Sequence, residues 1–449
     1  MTNVLILMSD EHNARVASVS GHPRVETPNM ARLAREGVVY DAAYCPSPLC
    51  APARSSFMSG LPVHQTQAYN NCTLVRSDFP SYGAVLKAQG VHTVHIGKTD
   101  VYATWERLGF AETLLPGDRK APGDINFRRD PLTIREDGPE RANQFGPRDD
   151  AFTKDLRVVD TAVDWLTTEA PRHDEPWTLT VNIVAPHFPH YATPDLWAKY
   201  ADAADLPAHG AEAESANHPY ARDLRRHFQT DAFTEDQIRG LRQGYLAGVD
   251  FVDTQLGRLL DVLEATGLRE DTVVAYTSDH GEMLGTFGMW WKCAMYEDAV
   301  RVPLIVAGPG FAAGQRVATP VSLLDLQATL FRATGAERPA AWWGEPLQDV
   351  AANDADRVVL AEYHGHGTRS GTFLVRKGAW KLLYHAAAPH QLFDLGDDPD
   401  ELVNRYDDAP EVVRDLEAEL RRLCSPEREF ARAHAFERDL LDRIALITT

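Results

Sequence analysis

The sequence is poor in three features: cysteine, long apolar runs and positive charge. Its 449 residues include only five cysteines, scattered and odd in number, which disfavours a disulfide framework and is typical of a reducing compartment. No apolar stretch approaches the length of a membrane span. Lys and Arg total 45 against 65 Asp and Glu, a formal net charge of −20. This balance disfavours binding to nucleic acid or to an anionic membrane.

The first residues, MTNVLILMSDEHN, contain a short apolar run, Val4 to Met8, with no basic segment before it. This pattern predicts a first strand rather than a signal peptide, so we expect a cytoplasmic protein. With 44% hydrophobic and 24% charged residues, the composition is globular. The chain is long enough for one large core and one smaller core.

Strand and helix patterns alternate along most of the chain. NVLILM is followed by the helix pattern PNMARLAREG, and SYGAVLKAQG is followed by VHTVHIG. The longest helix pattern runs from Asp236 to Gly267. This alternation predicts an α/β fold, with a large mostly parallel sheet sandwiched by helices.

From about Arg357 the pattern changes to short antiparallel strands, RVVLAEYHGHG, TFLVRKGAWKLLYH and QLFDL, before the helix pattern APEVVRDLEAELRRLC. We therefore predict a main α/β domain over residues 1–356. A C-terminal subdomain over residues 357–449 would hold a small antiparallel sheet, a helix and a helical tail. Residues 118–150 and 201–226 have the composition of long loops, which commonly rim a functional site.

Four predicted strands end at ionisable residues. VLILMSD ends at Asp10, HTVHIGK at Lys98, TLTVNIVAPH at His187, and TVVAYTSDH at Asp279 and His280. Ligands of open parallel sheets bind outside the carboxyl ends of the strands, so these residues can converge on one site. For any one of these residues the alternative is that it only marks the end of a strand, but the occurrence of all four favours a shared site.

The residues near these ends favour two kinds of ligand. An oxygen-rich set suits Ca²⁺, Mg²⁺ or Mn²⁺ better than a thiolate zinc centre; its members are Asp10, Asp279 and His280, with Glu11 as a further candidate. A second set supplies positive charge for a tetrahedral anion; its members are Arg54, Lys98 and Lys292.

The segment PLCAPARSSFMSG places Cys50 at the start of a helix pattern, with Pro52 in its first turn. Because a helix N-terminus favours an anion, a thiolate nucleophile of low pKa is one interpretation. A thiolate beside a hard, carboxylate-bound metal ion is a poor match, since such ions prefer oxygen. The mismatch suggests that the sulfur is replaced before the site works.

Cys50-Ala51-Pro52-Ala53-Arg54, followed by Gly60, resembles the C-x-P-x-R signature of the type I sulfatases, a formylglycine-dependent family of the alkaline phosphatase superfamily. The resemblance continues through SDHGE to QLFDLGDDPDE and covers nearly the whole chain. It implies a sulfuric ester hydrolase with an alkaline phosphatase-like fold. It also implies a divalent metal ion, with Ca²⁺ expected and Mg²⁺ or Mn²⁺ as alternatives. A separate formylglycine-generating enzyme would oxidise Cys50.

Carried over residue by residue, the resemblance implies three groups of site residues. The implied metal ligands are Asp10, Glu11, Cys50, Asp279 and His280. The implied catalytic residues are Cys50, Arg54, Lys98, His187, His218 and Lys292. Asn71 is implied in substrate binding, and Asp100 is a further candidate. His364, in the loop YHGHG, is a substrate-binding candidate for a different reason: this loop would reach the site from the C-terminal subdomain, with an ordinary surface loop as the alternative. In this scheme the lysines bind sulfate oxygens, and His187 or His218 protonates the leaving group.

The chain departs from the family pattern at two places. Glu11 stands where many sulfatases have a second aspartate, which leaves its role as a ligand open. Lys98-Thr99-Asp100 replaces Lys-x-His, so Asp100 or another histidine must serve instead. The motifs GKTD, NHPY, SDHGE and EYHG are most similar to the branch that acts on 2-sulfated glucuronate. This similarity predicts a small sulfated carbohydrate, such as a 2-sulfated uronate, as substrate.

Several alternatives stay open. A phosphonate monoester or phosphodiester hydrolase of the same superfamily would have a similar site, because phosphorus and sulfur centres differ mainly in charge. A broad arylsulfatase, a non-catalytic binding protein and a cysteine-thiolate hydrolase are further hypotheses. The amphipathic segment FARAHAFERDLLDRIALI would pack on its own chain or on a second subunit, so a homo-oligomer is also a hypothesis.

Overall fold

The computed structural model describes residues 2–72, 76, 78–203 and 205–448. The strands in these residues are β1 (Asn3–Asp10), β2 (Gly37–Tyr40), β3 (Ala43–Tyr44), β4 (His92–Gly97), β5 (Glu112–Leu114), β6 (Phe145–Pro147), β7 (Trp177–Pro186), β8 (His190–Ala192), β9 (Thr272–Ser278), β10 (Leu304–Ala307), β11 (Gln315–Val317), β12 (Val321–Ser322), β13 (Val358–Tyr363), β14 (Thr372–Lys377), β15 (Trp380–His385) and β16 (Gln391–Asp394). The α-helices are α1 (Pro28–Glu36), α2 (Cys50–Ser59), α3 (Val63–Thr66), α4 (Tyr82–Lys87), α5 (Gly138–Arg141), α6 (Thr153–Thr168), α7 (Pro194–Lys199), α8 (Pro219–Phe228), α9 (Glu235–Ala265), α10 (Glu297–Val300), α11 (Leu323–Thr334), α12 (Pro410–Leu423) and α13 (Pro426–Thr448).

The main sheet has eight strands in the order β11-β2-β10-β9-β1-β7-β4-β5. Strand β1 pairs in parallel with β9 and β7, and β4 is parallel to β7 and β5. Strand β10 runs antiparallel to β2 and β9. The central strands β1 and β9 are buried almost throughout, which explains why they read as continuous apolar runs rather than alternating ones. The predicted mostly parallel sheet is confirmed.

The longest helix, α9, packs against β7 and α6. Its first turn is fixed by a capping box, in which Thr234 Oγ1 accepts from the Gln237 backbone and Gln237 Oε1 accepts from the Thr234 backbone. Tyr245, Val249 and Val252 lie on its buried face. The helix occupies nearly the predicted range, and α11 covers β1 and α2.

The C-terminal strands β13, β14, β15 and β16 form an antiparallel meander. Helix α12 lies across it, and Leu416 and Leu420 pack on Phe373 and Leu382. Gly378 turns the chain between β14 and β15 with φ of +55°, a conformation that glycine adopts without strain. The predicted small antiparallel sheet with a helix is confirmed, while the division at residue 356 stays a prediction.

The interpretation of residues 201–226 as one long loop is wrong, because the segment contains most of α8. Tyr220, Leu224 and Phe228 are buried and recur every fourth residue, which places them on one helix face. Pro219 occupies the first helical position, where proline is favoured. These two signals identify the helix in the sequence.

The C-terminal helix α13 packs on its own chain. Phe436 contacts Tyr69, with 5.2 Å between the ring centroids, and Glu437 is paired with the buried Arg129 at 3.0 Å. A homo-oligomer remains a hypothesis. Within the described ranges, we find no helix with both the length and the apolar character that crossing a membrane requires.

Candidate active site

Four neighbouring strands of the main sheet end in the residues that the sequence predicts to converge. Strands β9, β1, β7 and β4 are adjacent in that order, and Asp279, Asp10, His187 and Lys98 lie at their carboxyl ends. The Lys98 ammonium donates to the Asp10 carboxylate, and the Glu11 backbone N–H donates to Asp279 at 3.2 Å. The structure therefore brings these strand ends together.

Helix α2 places Cys50 against these strand ends. The helix begins at Cys50 after the extended residue Leu49 and ends at Gly60, whose φ is +65°. Asn71 Oδ1 accepts from the Ala51 backbone N–H at 3.0 Å, so this side chain satisfies one of the N–H groups at the helix start that lack an intrahelical partner. Asn71, predicted to bind substrate, thus holds the start of the helix that carries Cys50.

The Cys50 thiol lies among cations. Its Sγ is 3.2 Å from Lys292 Nζ and 3.3 Å from His280 Nε2. Burial alone would raise the pKa of this thiol, but Lys292, Lys98 and His280 hold it well below its usual value. The position therefore favours an anionic group. We call this assembly the Cys50 cluster; its members are Asp10, Glu11, Cys50, Arg54, Lys98, His187, Asp279, His280 and Lys292.

Arg54 follows Cys50 by one helical turn and neutralises the carboxylates beneath it. Its Nε donates to Asp279 at 2.7 Å, its Nη1 donates to Asn182 Oδ1 at 2.9 Å, and its Nη2 is 3.6 Å from Asp10. Burial raises the pKa of Asp279, and Arg54 opposes that rise. Asn182 was not predicted, although a polar residue inside the apolar run TLTVNIVA is a signal that could have found it.

Glu11, Lys292 and His187 form the other side of the cluster. Lys292 Nζ is 2.5 Å from His187 Nε2 and 3.3 Å from Glu11 Oε2. His187 Nδ1 donates to the Phe188 carbonyl at 2.6 Å, which turns Nε2 towards the cluster. Glu11 has a φ of +69°, which is uncommon for a residue with a side chain and occurs often at functional sites.

The cluster fits a divalent metal ion. Asp10, Cys50, Asp279 and His280 each offer one ligand atom, and these atoms lie within 4.8 Å of one another. Glu11 Oε1 is buried without a hydrogen-bond partner. A hard divalent cation prefers oxygen ligands. The cluster offers several buried carboxylate oxygens, including the unpartnered Glu11 Oε1, so its residues suit such an ion.

Asp100 is held in ion pairs beside the cluster. Arg119 donates to it through two hydrogen bonds of 2.7 and 2.6 Å, and Lys98 Nζ lies 3.4 Å away. Burial would raise its pKa, but Arg119 and Lys98 lower it below the usual value. An ionised carboxylate already shared by two cations is poorly suited to replace the missing Lys-x-His histidine as a base.

Two predicted residues lie apart from the cluster. His218 caps α8 by accepting from the Tyr220 backbone, and its Nε2 donates to the Pro389 carbonyl at 3.0 Å. His364 is buried with its Nε2 3.4 Å from Glu362. Among the described residues, no hydrogen bond or ion pair joins either histidine to the Cys50 cluster.

Two cavities reach the most exposed polar members of the cluster, Lys98 and His187, whose side chains are 14% and 16% exposed. A cavity of about 560 Å³ opens at Lys98 and is also lined by Arg119, Lys154 and Arg157. A second, of about 430 Å³, opens at His187. Both cavities adjoin the edge of the cluster. Each is lined by acidic as well as basic side chains, and these linings were not predicted.

The aromatic rings near the second cavity are covered by cations. The Arg141 guanidinium lies 4.5 Å from the centre of the Phe188 ring and 5.5 Å from that of Trp291. Lys292 Nζ lies 5.7 Å from the Phe188 centre. The Phe188 and Trp291 rings therefore already make cation–π contacts with side chains of this chain.

The sheet order and the metal-type cluster at the strand ends match the fold and the site that the resemblance to the sulfatases implies. A family model described as Sulfatase matches residues 2–336, and one described as N-sulphoglucosamine sulphohydrolase, C-terminal, matches residues 285–426. The chain belongs to the sulfatase family, and the predicted sulfuric ester hydrolase is confirmed at that level.

Individual relatives agree with this assignment. Choline-sulfatase from Rhizobium meliloti (strain 1021) is 33% identical over 423 residues, covering 90% of this chain and 82% of the relative. Arylsulfatase K from Xenopus laevis is 28% identical over 470 residues, covering 97% and 85%. The phosphonate monoester hydrolase of Agrobacterium radiobacter has a similar fold, with a TM-score of 0.76 at 23% identity over 96% of each chain.

Proposed function

We propose that the protein hydrolyses the sulfate ester of an anionic carbohydrate, such as a 2-sulfated uronate, by means of a formylglycine made from Cys50 and a bound divalent metal ion. The observation that carries the proposal is the position of Cys50 Sγ, which lies within hydrogen-bond distance of Lys292 and His280 at the start of a buried helix. Sγ marks where the oxygens of hydrated formylglycine would stand.

The metal site and the modified side chain would each supply one kind of chemistry. The ion, expected to be Ca²⁺, would be held by Asp10, Asp279 and His280, with Glu11 as a further candidate, and would act as a Lewis acid. Hydrated formylglycine would supply an oxygen nucleophile and a second hydroxyl through which sulfate is released. A formylglycine-generating enzyme would be the maturation partner, and the cytoplasm the proposed location.

The fixed cations of the chain would hold the sulfate group. Lys98 and Lys292 contact different carboxylates of the cluster: Lys98 donates to Asp10, and Lys292 lies beside Glu11 and His187. Such preorganised positive groups stabilise charge that develops in the transition state. Arg54 neutralises the buried aspartates and so keeps the net charge of the cluster compatible with an anion.

His187 is the best-placed proton donor for the leaving alkoxide. Its Nδ1 is engaged by the Phe188 carbonyl, and its Nε2 faces Lys292 at the mouth of a cavity. A general acid must lie within hydrogen-bond reach of the oxygen that it protonates. His218 is engaged at the start of α8, so the geometry supports His187 over His218.

The surroundings favour an anionic sugar over choline sulfate as substrate. Lys154 and Arg157 line the cavity at Lys98 together with Asp118 and Asp155, and these two cations would pair with a uronate carboxylate. A quaternary ammonium group is recognised by open aromatic faces, whereas Arg141 covers those of Phe188 and Trp291. The resemblance of GKTD, NHPY, SDHGE and EYHG to the branch that acts on 2-sulfated glucuronate supports the same choice.

A second candidate is a phosphonate monoester or phosphodiester hydrolase. Its support is the fold likeness to the phosphonate monoester hydrolase of Agrobacterium radiobacter and three cations at the cluster, the buried Arg54 and Lys292 and the partly buried Lys98. A broad arylsulfatase would need the same Cys50 cluster, with surrounding residues that discriminate less between leaving groups.

The test is turnover of a substrate panel by protein coexpressed with a formylglycine-generating enzyme. The panel holds a 2-sulfated uronate, hexosamine sulfates, choline sulfate, an aryl sulfate and an aryl phosphodiester. We expect the uronate sulfate to have the highest kcat/KM and Cys50→Ala to abolish its turnover. Faster cleavage of the phosphodiester than of every sulfate would overturn the proposal, and full activity with unmodified Cys50 would favour a thiolate hydrolase.

A further inference from the structure

A second group of metal-ligating side chains lies at the opposite end of the main sheet from Cys50. His92 and Glu112 are the first residues of the parallel strands β4 and β5, and His173 precedes β7 in the chain. Because the Cys50 cluster lies at the carboxyl ends of β4 and β7, this group, at their amino ends, cannot belong to it.

The three side chains converge closely. One ligand atom from each lies within 4.8 Å of the others, and His92 Nε2 is 2.6 Å from Glu112 Oε1. The imidazole rings of His92 and His173 face each other with 4.0 Å between centroids. Tetrahedral zinc ligands lie about 3.4 Å apart for bonds of about 2.1 Å. Modest side-chain rotation reaches this spacing, since all three side chains are partly exposed.

The surrounding residues orient these ligands as metal-binding side chains require. Trp165 Nε1 donates to Glu112 Oε1 at 3.2 Å, and His173 Nδ1 is 2.9 Å from Glu175 Oε1. The Trp165 ring also stacks near both imidazoles, at centroid distances of 6.2 and 6.0 Å. Outer partners of this kind fix the ring orientation and raise the basicity of the ligating nitrogen.

The donor set distinguishes this group from the Cys50 cluster. Two imidazoles and one carboxylate suit a borderline ion such as Zn²⁺, which binds three protein ligands and leaves a fourth position to water. Calcium and magnesium prefer oxygen. We propose that His92, Glu112 and His173 form a second metal site, selective for Zn²⁺ or a similar transition-metal ion, that joins the edge strand β5 to the segment before β7.

The test is a zinc count on the full chain with Ca²⁺ in excess, so that the Cys50 cluster is occupied by calcium. We expect one Zn²⁺ per chain after dialysis against micromolar Zn²⁺, and a rise in Tm, because an ion that binds only the folded state stabilises it. Co²⁺ in place of Zn²⁺ should give the visible bands of tetrahedral coordination. Absence of zinc from the wild-type protein would overturn the proposal without any variant.

The variants His92→Gln and His173→Gln should each lose the zinc, the cobalt bands and the Tm rise, while sulfate release per folded molecule stays within twofold of wild type. His434→Gln is the matched control, because His434 also lies beside a glutamate, Glu437, at 3.8 Å. This variant should still bind one Zn²⁺ per chain. If either histidine variant fails to fold, Glu112→Gln replaces it. Zinc that persists in the variants would also overturn the proposal.

Discussion

The protein has two buried clusters that each combine positive and negative side chains, and the two clusters serve different purposes. In the Cys50 cluster, side chains from four strand ends and a helix start surround a nucleophile position. In the second, Lys381 Nζ is shared by Glu297 and Glu401 at 2.9 and 2.7 Å, and Tyr44 donates to Glu297 at 3.1 Å. The second cluster joins β15 of the C-terminal sheet to α10 of the main domain.

The comparison shows that buried charge alone does not identify a site. The Lys381 cluster contains no nucleophile. The Lys381 ammonium is shared by two carboxylates, and one of them, Glu297, is also 3.3 Å from Arg301. The Cys50 cluster combines a thiol of lowered pKa, an unpartnered carboxylate oxygen of Glu11 and two cavities that reach its edge. The Lys381 cluster therefore holds the C-terminal sheet against the rest of the chain, whereas the Cys50 cluster has the groups that catalysis requires.

Removal of the nucleophile position should give the largest effect. Cys50→Ala should lower kcat by at least about 10⁴-fold, because later steps cannot replace the lost covalent step. Its thermal unfolding should stay close to wild type. Cys45→Ala is the matched control: Cys45 is also buried, but burial and Asp279 raise the pKa of its thiol. Comparable losses in both variants would contradict the assignment of Cys50.

Removal of one sulfate-binding cation should give the next largest effect. Lys292→Ala and Lys98→Ala should each lower kcat/KM by about 10²- to 10³-fold, the usual loss when one preorganised donor to the transition state is removed. Steady-state kinetics on the preferred sulfate ester measures the change. Losses below fivefold in both variants would show that neither lysine contacts the reacting group.

The Lys381 cluster should respond in stability rather than in turnover. Lys381→Ala removes the buried cation that Glu297 and Glu401 share, leaves Glu297 only its pair with Arg301, and should lower the free energy of unfolding by about 3–5 kcal/mol. Urea denaturation measures this loss, and turnover per folded molecule should stay near wild type. Lys292→Ala provides the contrast, since it should lose turnover with a smaller loss of stability. A loss of turnover in Lys381→Ala together with a loss of stability alone in Lys292→Ala would contradict the roles assigned to the two clusters.

A buried histidine outside both clusters should give the smallest effect. Burial lowers the pKa of His95 to about 4, against about 6.5 in the unfolded chain. The unfolded chain therefore binds the proton first as pH falls, so the stability from neutral His95 is present above pH 6.5 and is lost towards pH 4. Between pH 7 and pH 5 this loss is about 2 kcal/mol.

His95→Gln should remove that share of the pH dependence, whatever its effect on stability at pH 7. The measurement is the difference in unfolding free energy between pH 7 and pH 5, taken from urea denaturation of wild type and variant. Equal differences in the two proteins would show that His95 does not titrate as its burial requires.

The sequence predicts the Cys50 cluster well because strand ends are local features. Apolar runs that stop at Asp10, Lys98 and Asp279 indicate where each strand ends, and the sheet then brings those ends together. Cys50 is similarly predictable, since Pro52 and Gly60 mark the first turn and the end of its helix. Short-range patterns therefore suffice for most of this cluster.

The rest depends on packing between distant segments. Nothing near Asp100 in the sequence shows that Arg119 occupies both of its oxygens. Likewise, the positions of His218 and His364 depend on how the C-terminal subdomain docks. The sequence around Lys381 indicates only a strand. Its buried ion pairs have no local signal, because the partners Glu297 and Glu401 come from other parts of the chain.

The most direct test of the account is mass spectrometry of the peptide that contains Cys50, from protein made with and without a formylglycine-generating enzyme, alongside sulfate release by the same samples. The account predicts formylglycine at residue 50 only in the coexpressed protein, with turnover proportional to its fraction. Equal turnover in a sample whose Cys50 is entirely unmodified would contradict it.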